Sequence, residues 1–195
     1  MRKILITVYV AMMVGIAIAD VTPLMVSPFN PVQEPSCKYD VKGFRFSLIY
    51  GRCKDFAGLD VGLVQHTTGG FGGLAIGGVH YASDHIFGAQ VCGMVSRTHG
   101  SMSGVQIGGL LSGSDIAMNG LQIGGLYNGP VTGHKNDING VQIAGVINKA
   151  SNVHGLQIGL FNFAETMECG LQIGLWNQIK NNGWATILPI VNGHF

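Results

Sequence analysis

Charged residues are scarce in this sequence of 195 residues. They make up 11% of the chain, against about 25% in an average soluble domain. The 11 basic and 10 acidic residues leave a net charge of +1, which gives no electrostatic footprint for nucleic acid, so nucleic-acid binding is disfavoured. A surface this poor in charge is expected to face lipid or to associate with itself.

Long apolar runs are absent beyond the N-terminus, which excludes a membrane-spanning helix there and leaves a β-type membrane protein open. At the N-terminus, two basic residues precede a mostly apolar run over residues 4–18, and Ala17 and Ala19 complete an A-x-A cleavage pattern. The run is shorter than the roughly 20 residues that a spanning helix needs. We therefore predict a signal peptide at residues 1–19 and an exported chain that begins near Asp20.

Cysteine is sparse as well, with only Cys37, Cys53, Cys92 and Cys169. In an exported protein these four could form up to two disulfides, and the sequence leaves three pairings open. Cys37 and Cys53 flank the first predicted strand and would lie too far apart to pair with each other. They are also the two closest in sequence, yet they are spaced far more widely than the paired cysteines of a zinc motif, so we predict no metal.

Catalytic patterns are missing too. The sequence has seven histidines, none with an acidic partner at helical or strand spacing, and we interpret them as polar residues at strand ends: His66, His80, His85, His99, His134, His154 and His194. The Ser/Gly run at 101–104 and the Gly-rich run at 69–73 lack the following helix that a nucleophile elbow or a phosphate-binding loop requires. We predict no catalytic residue, no cofactor and no enzymatic activity.

What the sequence does contain is a repeat. Units of the type Gly-apolar-Gln-apolar-Gly recur at intervals of about 15 residues, with one longer interval between Gly120 and Gly140. The first glycines of the aligned units are Gly43, Gly58, Gly73, Gly88, Gly104, Gly120, Gly140, Gly155 and Gly170.

Each unit alternates with period two, which indicates a β-strand. In the unit at Gly155, Leu156 and Ile158 point to one side and Gln157 points to the other. A helix would place two such apolar residues about 200° apart and would carry two unfavourable glycines in five residues. We therefore predict an all-β fold with short connections.

The repeat defines ten predicted strands in a domain over residues 41–195. They cover residues 42–50, 57–66, 72–81, 87–96, 103–111, 118–127, 138–147, 154–162, 169–177 and 184–195. Residues 20–40, which contain four prolines, are predicted to be an extended lead-in without a strand, which could cover a sheet edge or a pore mouth.

Two architectures fit this pattern. The first is an antiparallel up-and-down β-barrel of about ten short strands in an outer membrane, with Leu and Ile against lipid and Gly and Gln lining a narrow lumen. The second is a β-solenoid with coils of about 15 residues, which would bury Leu and Ile and display the Gln row outside. Both hide the Leu/Ile side from water. The uniform period and short connections favour the solenoid.

The end of the chain favours the barrel. Residues 184–195 form a mostly apolar last strand, and the terminal Phe195 resembles the assembly signal of outer-membrane barrels. Pro189 must then lie where no ladder hydrogen bond is needed. A barrel would also explain a girdle of aromatic residues near late strand ends, for which the candidates are Phe161, Phe163, Trp176 and Trp184. We take the barrel as the first prediction and the solenoid as the alternative.

The repeat units resemble a known group of proteins. The segments that begin at Gly155 and Gly170 read GLQIGLFN and GLQIGLWN, and the entry segment at 41–51 also fits. They resemble bacterial surface-repeat proteins built from GLQIGLxN units, whose activity is largely unassigned. The resemblance implies an exported protein of the cell surface or outer membrane of a double-membraned bacterium. The expected partner is outer-membrane lipid, and the expected role is structural or a narrow pore; the alternative is a secreted solenoid for adhesion or self-association.

Overall fold

A computed structural model describes residues 21–29, 32–34, 36–130, 133–182 and 185–195. The predicted signal peptide at residues 1–19 lies outside these ranges. Within the described ranges the regular structure consists only of β-strands, which form one sheet of 14 strands. The prediction of an all-β fold is confirmed.

The strands follow the repeat, but the described residues form 14 rather than the ten predicted. Their bounds are β1 Val21–Phe29, β2 Val32–Glu34, β3 Asp40–Cys53, β4 Phe56–Thr67, β5 Phe71–Ala82, β6 Ile86–Thr98, β7 Ser101–Gly108, β8 Leu111–Ser114, β9 Ala117–Gly124, β10 Tyr127–Asn128, β11 Asp137–Ala144, β12 Ile147–Ile158, β13 Phe161–Ile179 and β14 Ile187–His194. The number is higher because β8 and β10 form between repeat units and β1 and β2 form at the N-terminal end.

The architecture is a β-solenoid of about ten turns, and the first prediction of a barrel is wrong. From β3 to β13 each repeat pairs in parallel with the one before it, with Gly43 beside Gly58 and Gly58 beside Gly73. The strand order runs from β14 at one end to β2 at the other, so the sheet does not close on itself. Each repeat supplies a whole turn of the coil, which returns the chain to the same register, rather than a single strand followed by a hairpin.

Both ends of the solenoid are covered. At the N-terminal end β1 pairs in parallel with β3, and β2 folds back on β1 in antiparallel fashion. The prediction that residues 20–40 contain no strand is therefore wrong, because β1 and β2 lie in this segment. They cover the edge of the sheet, which an extended lead-in was expected to be able to do. At the other end β14 runs antiparallel to β13, and Pro189 interrupts its alternation as expected.

The two sides of the repeat are reversed relative to the predicted solenoid. The glutamines of the repeat are fully buried, whereas Leu59 and Ile76 are 38% and 43% exposed. The expectation that the Leu/Ile side is hidden from water is wrong for this chain. Parallel, in-register stacking places like amides on successive turns within hydrogen-bonding distance, and this pairing removes the usual cost of burying them.

A column of apolar side chains completes the interior. Phe56 and Phe71 stack with ring centroids 5.1 Å apart, and the column continues through Ile86, Met102, Met118, Ile138, Val153 and Met167, all buried. Dispersion contacts along this column and hydrogen bonds along the amide column together hold successive turns.

A second amide ladder fixes the corner of each late turn. Asn128 donates to Asn148 at 2.9 Å, Asn148 to Asn162 at 2.8 Å, and Asn162 to Asn177 at 2.7 Å. Asn177 also donates to the carbonyl of Gly174, on its own turn, at 2.9 Å. The final Asn of each GLxN unit therefore closes the corner and links it to the next turn.

Candidate functional site

A continuous buried polar chain runs along the interior of the solenoid. From Gln106 onward, each glutamine side chain donates from Nε2 to Oε1 of the glutamine in the preceding turn, at 2.7–3.0 Å. The members are Gln90, Gln106, Gln122, Gln142, Gln157 and Gln172. Every member has a partner on a neighbouring turn, so the chain acts as a structural spine.

An ion pair replaces glutamine in the same column near the N-terminal end. Arg45 Nε donates to Asp60 Oδ1 at 2.8 Å, and Nη2 donates to Oδ2. Both side chains are 0% exposed. Burial alone would lower the pKa of Arg45, but the hydrogen bonds and charge of Asp60 raise it. Arg45 also donates to the carbonyl of His66 at 3.2 Å, so several hydrogen-bond acceptors stabilise its charge.

His80 joins the ion pair to the glutamine spine. Its Nδ1 accepts from Gln90 Nε2, and its Nε2 lies 3.7 Å from Asp60 Oδ2. The proton of the neutral ring therefore resides on Nε2. Complete burial, with the positive charge of Arg45 nearby, lowers the pKa of His80 to about 3, so the ring is neutral at physiological pH.

This neutral histidine makes stability depend on pH. The unfolded chain takes up a proton near pH 6.5, whereas the folded chain does so only near pH 3. Stability is thus complete above pH 6.5 and is lost as pH falls from 6.5 toward 3, by about 2 kcal/mol at pH 5. Urea titrations at pH 7 and pH 5 will measure this loss.

The variant His80→Gln serves as the control for that titration. It should remove most of the change in the free energy of unfolding between pH 7 and pH 5. A smaller change will remain, because burial also lowers the pKa of His66. An undiminished change in His80→Gln would contradict the assignment.

The buried cluster is closed to substrates. Arg45, Asp60 and His80 are all 0% exposed, so no solute reaches them in this fold. We interpret the cluster as a structural element. The charged pair could be found from the aligned repeat units, because Arg45 and Asp60 stand where later units have glutamine. The contact of His80 with Asp60 could not be found from the aligned units.

The outer surface carries the most extended feature of the molecule, which we call the apolar face. It consists of two outward columns on nine successive turns, and none of its side chains is buried. The first column is Phe44, Leu59, Leu74, Ala89, Val105, Leu121, Val141, Leu156 and Leu171; the second is Phe46, Val61, Ile76, Val91, Ile107, Ile123, Ile143, Ile158 and Ile173.

The apolar face is uninterrupted by charge. Exposed apolar side chains at the adjoining corner, such as Leu63 at 59% and Leu175 at 67%, widen it. A shallow groove of about 430 Å³ lies beside its second column, on the side of the corner that carries Leu63, and is lined by Phe46, Val61 and Ile76 among others. Monomeric proteins seldom expose a contiguous apolar patch larger than a few hundred Å² unless the patch is a site of interaction.

The predicted polar residues at strand ends are only partly as expected. His85, His134 and His194 are exposed, whereas His80 lies in the core, which corrects its predicted position. His99 Nδ1 lies 2.6 Å from Asp115 Oδ2, an acidic partner that sequence spacing did not reveal because the two residues sit on neighbouring turns.

The cysteines are all free thiols. Cys53 and Cys92 are buried, and burial raises the pKa of each to about 11. Such thiols are poor nucleophiles at neutral pH. The described residues include no group of three or more His, Cys, Asp or Glu arranged to hold a metal ion.

The aromatic residues do not form a girdle around a barrel. Phe161 and Trp176 are 39% and 45% exposed beside the apolar face, and Phe163 points to a different side of the coil, where it lines a pocket. Trp184 lies outside the described residues.

Comparison with known protein families, with curated proteins and with solved structures found no match. In the part of the chain that the structure describes, no helix is long and apolar enough to cross a membrane. Inferences about function therefore rest on the surfaces and contacts of this chain itself.

Proposed function

We propose that this protein is a non-enzymatic, exported β-solenoid that self-associates at the cell surface, with two copies packing their apolar faces together. The observation that carries the proposal is the apolar face, a charge-free sheet surface that extends over nine turns. The narrow-pore role required a barrel lumen, so the solenoid gives that role no support.

The dimensions of the apolar face suit a dimer. Nine turns spaced by about 4.8 Å give a length of about 38 Å. Along each strand, the five residues from the first column to the adjoining corner, such as 59–63, give a width of about 17 Å. The resulting area of about 650 Å² approaches the roughly 800 Å² that each partner contributes to a standard interface. Two such sheets can pack face to face at about 10 Å.

A second copy is the partner that this surface fits best. A face without charge offers nothing to an acidic or basic ligand, whereas an identical flat face is complementary in chemistry, length and strand spacing. The capped ends of the solenoid disfavour growth end to end, so association is expected through the side.

Charged substitutions on the apolar face should break the dimer. The double variant Ile76→Lys/Ile123→Lys places two lysines, three turns apart, where the partner would bury them. We expect the dimer dissociation constant to rise at least about a hundredfold, because each buried, unpaired charge costs several kcal/mol. Sedimentation equilibrium of the purified protein measures the change.

The matched control is Ile116→Lys. Ile116 is 53% exposed and lies in the turn between β8 and β9, away from both columns of the apolar face, so this variant should dimerise like the wild type. A wild-type protein that stays monomeric at tens of micromolar would overturn the proposal. If that monomer also floated with phospholipid vesicles, the apolar face would be a lipid-binding surface instead.

A further inference from the structure

The positive charge of the second half of the chain is concentrated in one place. After Arg97 the sequence contains only three basic residues other than histidine, namely Lys135, Lys149 and Lys180. They come from three different parts of the coil, yet all three line a single pocket of about 170 Å³. In a chain so poor in charge, this convergence calls for an explanation.

The pocket owes its shape to the one long repeat. The interval from Gly120 to Gly140 is longer than every other interval between the first glycines of the units, and its additional residues form the connection that carries His134 and Lys135. Residues 133–135 of that connection lie against the following turns, where Lys149 is beside Phe163 in the parallel register. Ser151 and Gln178 also line the pocket and add neutral hydrogen-bonding groups.

The electrostatics of the pocket favour an anion. Glu165 lies 4.0 Å from Lys135 and 3.8 Å from Lys180, and these exposed, long ion pairs are weak. Lys149 has no carboxylate within ion-pair distance among the residues that the structure describes. Three lysines against one glutamate leave an excess of two positive charges.

The size of the pocket limits the ligand. Pockets for whole small molecules usually exceed about 300 Å³, so this one suits a single compact anionic group. Lysine is a common ligand of phosphate, which it holds through charge-assisted hydrogen bonds. We propose that Lys149 and Lys180, with Lys135 at the rim, form a binding site for a phosphate group, either free or on a lipid headgroup.

Calorimetric titration with inorganic phosphate at low ionic strength tests the proposal. We expect saturable binding, and the double variant Lys149→Gln/Lys180→Gln should weaken it about tenfold or more, because charge-assisted hydrogen bonds are lost. The variant Glu165→Gln should bind several-fold more tightly, since it removes the competing carboxylate. A purely structural role for these lysines would not produce that gain.

The matched control is Lys54→Gln. Lys54 is an exposed lysine that also pairs with two carboxylates, Asp40 and Asp55, but it lies outside the pocket. Equal weakening in this control would show only a general effect of net charge and would overturn the proposal, as would the absence of saturable binding to the wild type.

A second arm identifies the source of the phosphate. Flotation with vesicles containing phosphatidic acid, compared with vesicles of phosphatidylcholine alone, shows whether a headgroup monoester is held. Binding that is lost in Lys149→Gln/Lys180→Gln assigns the site to the headgroup; calorimetric binding without flotation assigns it to free phosphate. Neither result depends on the proposed dimer, because the pocket lies off the apolar face.

Discussion

Alanine in place of Gly73 should lower the free energy of unfolding by about 3 to 5 kcal/mol, because it adds backbone strain to steric overlap. Gly73 has a φ angle of +127°, which residues with a side chain rarely adopt, and its Cβ would overlap the carbonyl oxygen of Gly58 in the preceding turn. The overlap is with backbone, so no side chain can move aside. The turns would have to separate locally.

The neighbouring residue Gly72 provides the control for this substitution. A Cβ there would have no contact closer than 3.9 Å, to the carbonyl oxygen of Phe56, and its φ angle is not in the positive range. We expect Gly72→Ala to change the free energy of unfolding by less than about 1 kcal/mol. Urea denaturation followed by circular dichroism compares the two. Similar losses at both positions would contradict the stacking of Gly73 on Gly58.

The positions of the strands could be predicted from the sequence because alternation and glycine spacing are local properties. The strand predicted at 57–66 is Phe56–Thr67, and the one predicted at 72–81 is Phe71–Ala82. The pairing of the strands could not be predicted in the same way. Period two is common to parallel and antiparallel sheets, and only the length of the whole repeat distinguishes a turn of a coil from a hairpin.

The sidedness of the repeat was beyond prediction from hydrophobicity. Transfer energies place Leu156 inside and Gln157 outside, yet the structure has the reverse. The stabilising factor is collective, because Gln157 donates to Gln142 at 2.7 Å and accepts from Gln172 at the same distance. A single glutamine has no such partner, so its environment depends on stacking in register.

The lysine pocket could not be predicted from the sequence either, because it also depends on how the turns stack. Lys135, Lys149 and Lys180 lie far apart in sequence, and no motif joins them. They meet because the long repeat and the parallel register bring three turns to one side of the coil. The buried approach of His80 to Asp60 likewise joins two neighbouring turns.

Replacing Arg45 with leucine should cost about 3 to 5 kcal/mol of folding free energy, because it leaves the carboxylate of Asp60 buried without its partner. The side chain of Asp60 is 0% exposed and its two oxygens accept from Arg45. In the wild type His80 does not share this role, because burial lowers the pKa of its ring and keeps it neutral. Thermal and urea unfolding will measure the loss.

The double variant Arg45→Leu/Asp60→Leu separates the contribution of the charge from that of packing. It removes both ions and fills the same column with apolar side chains, so it should recover most of the stability that Arg45→Leu loses. The exposed Arg52, near the end of the same strand, gives the control, and Arg52→Leu should change stability by less than about 0.5 kcal/mol. If the double variant were as unstable as Arg45→Leu, the arginine would act through its contacts with Cys53, His66 and Thr67 rather than through the ion pair. Recovery would instead show that the N-terminal turns tolerate an apolar column and that the ion pair is one of two ways to fill it.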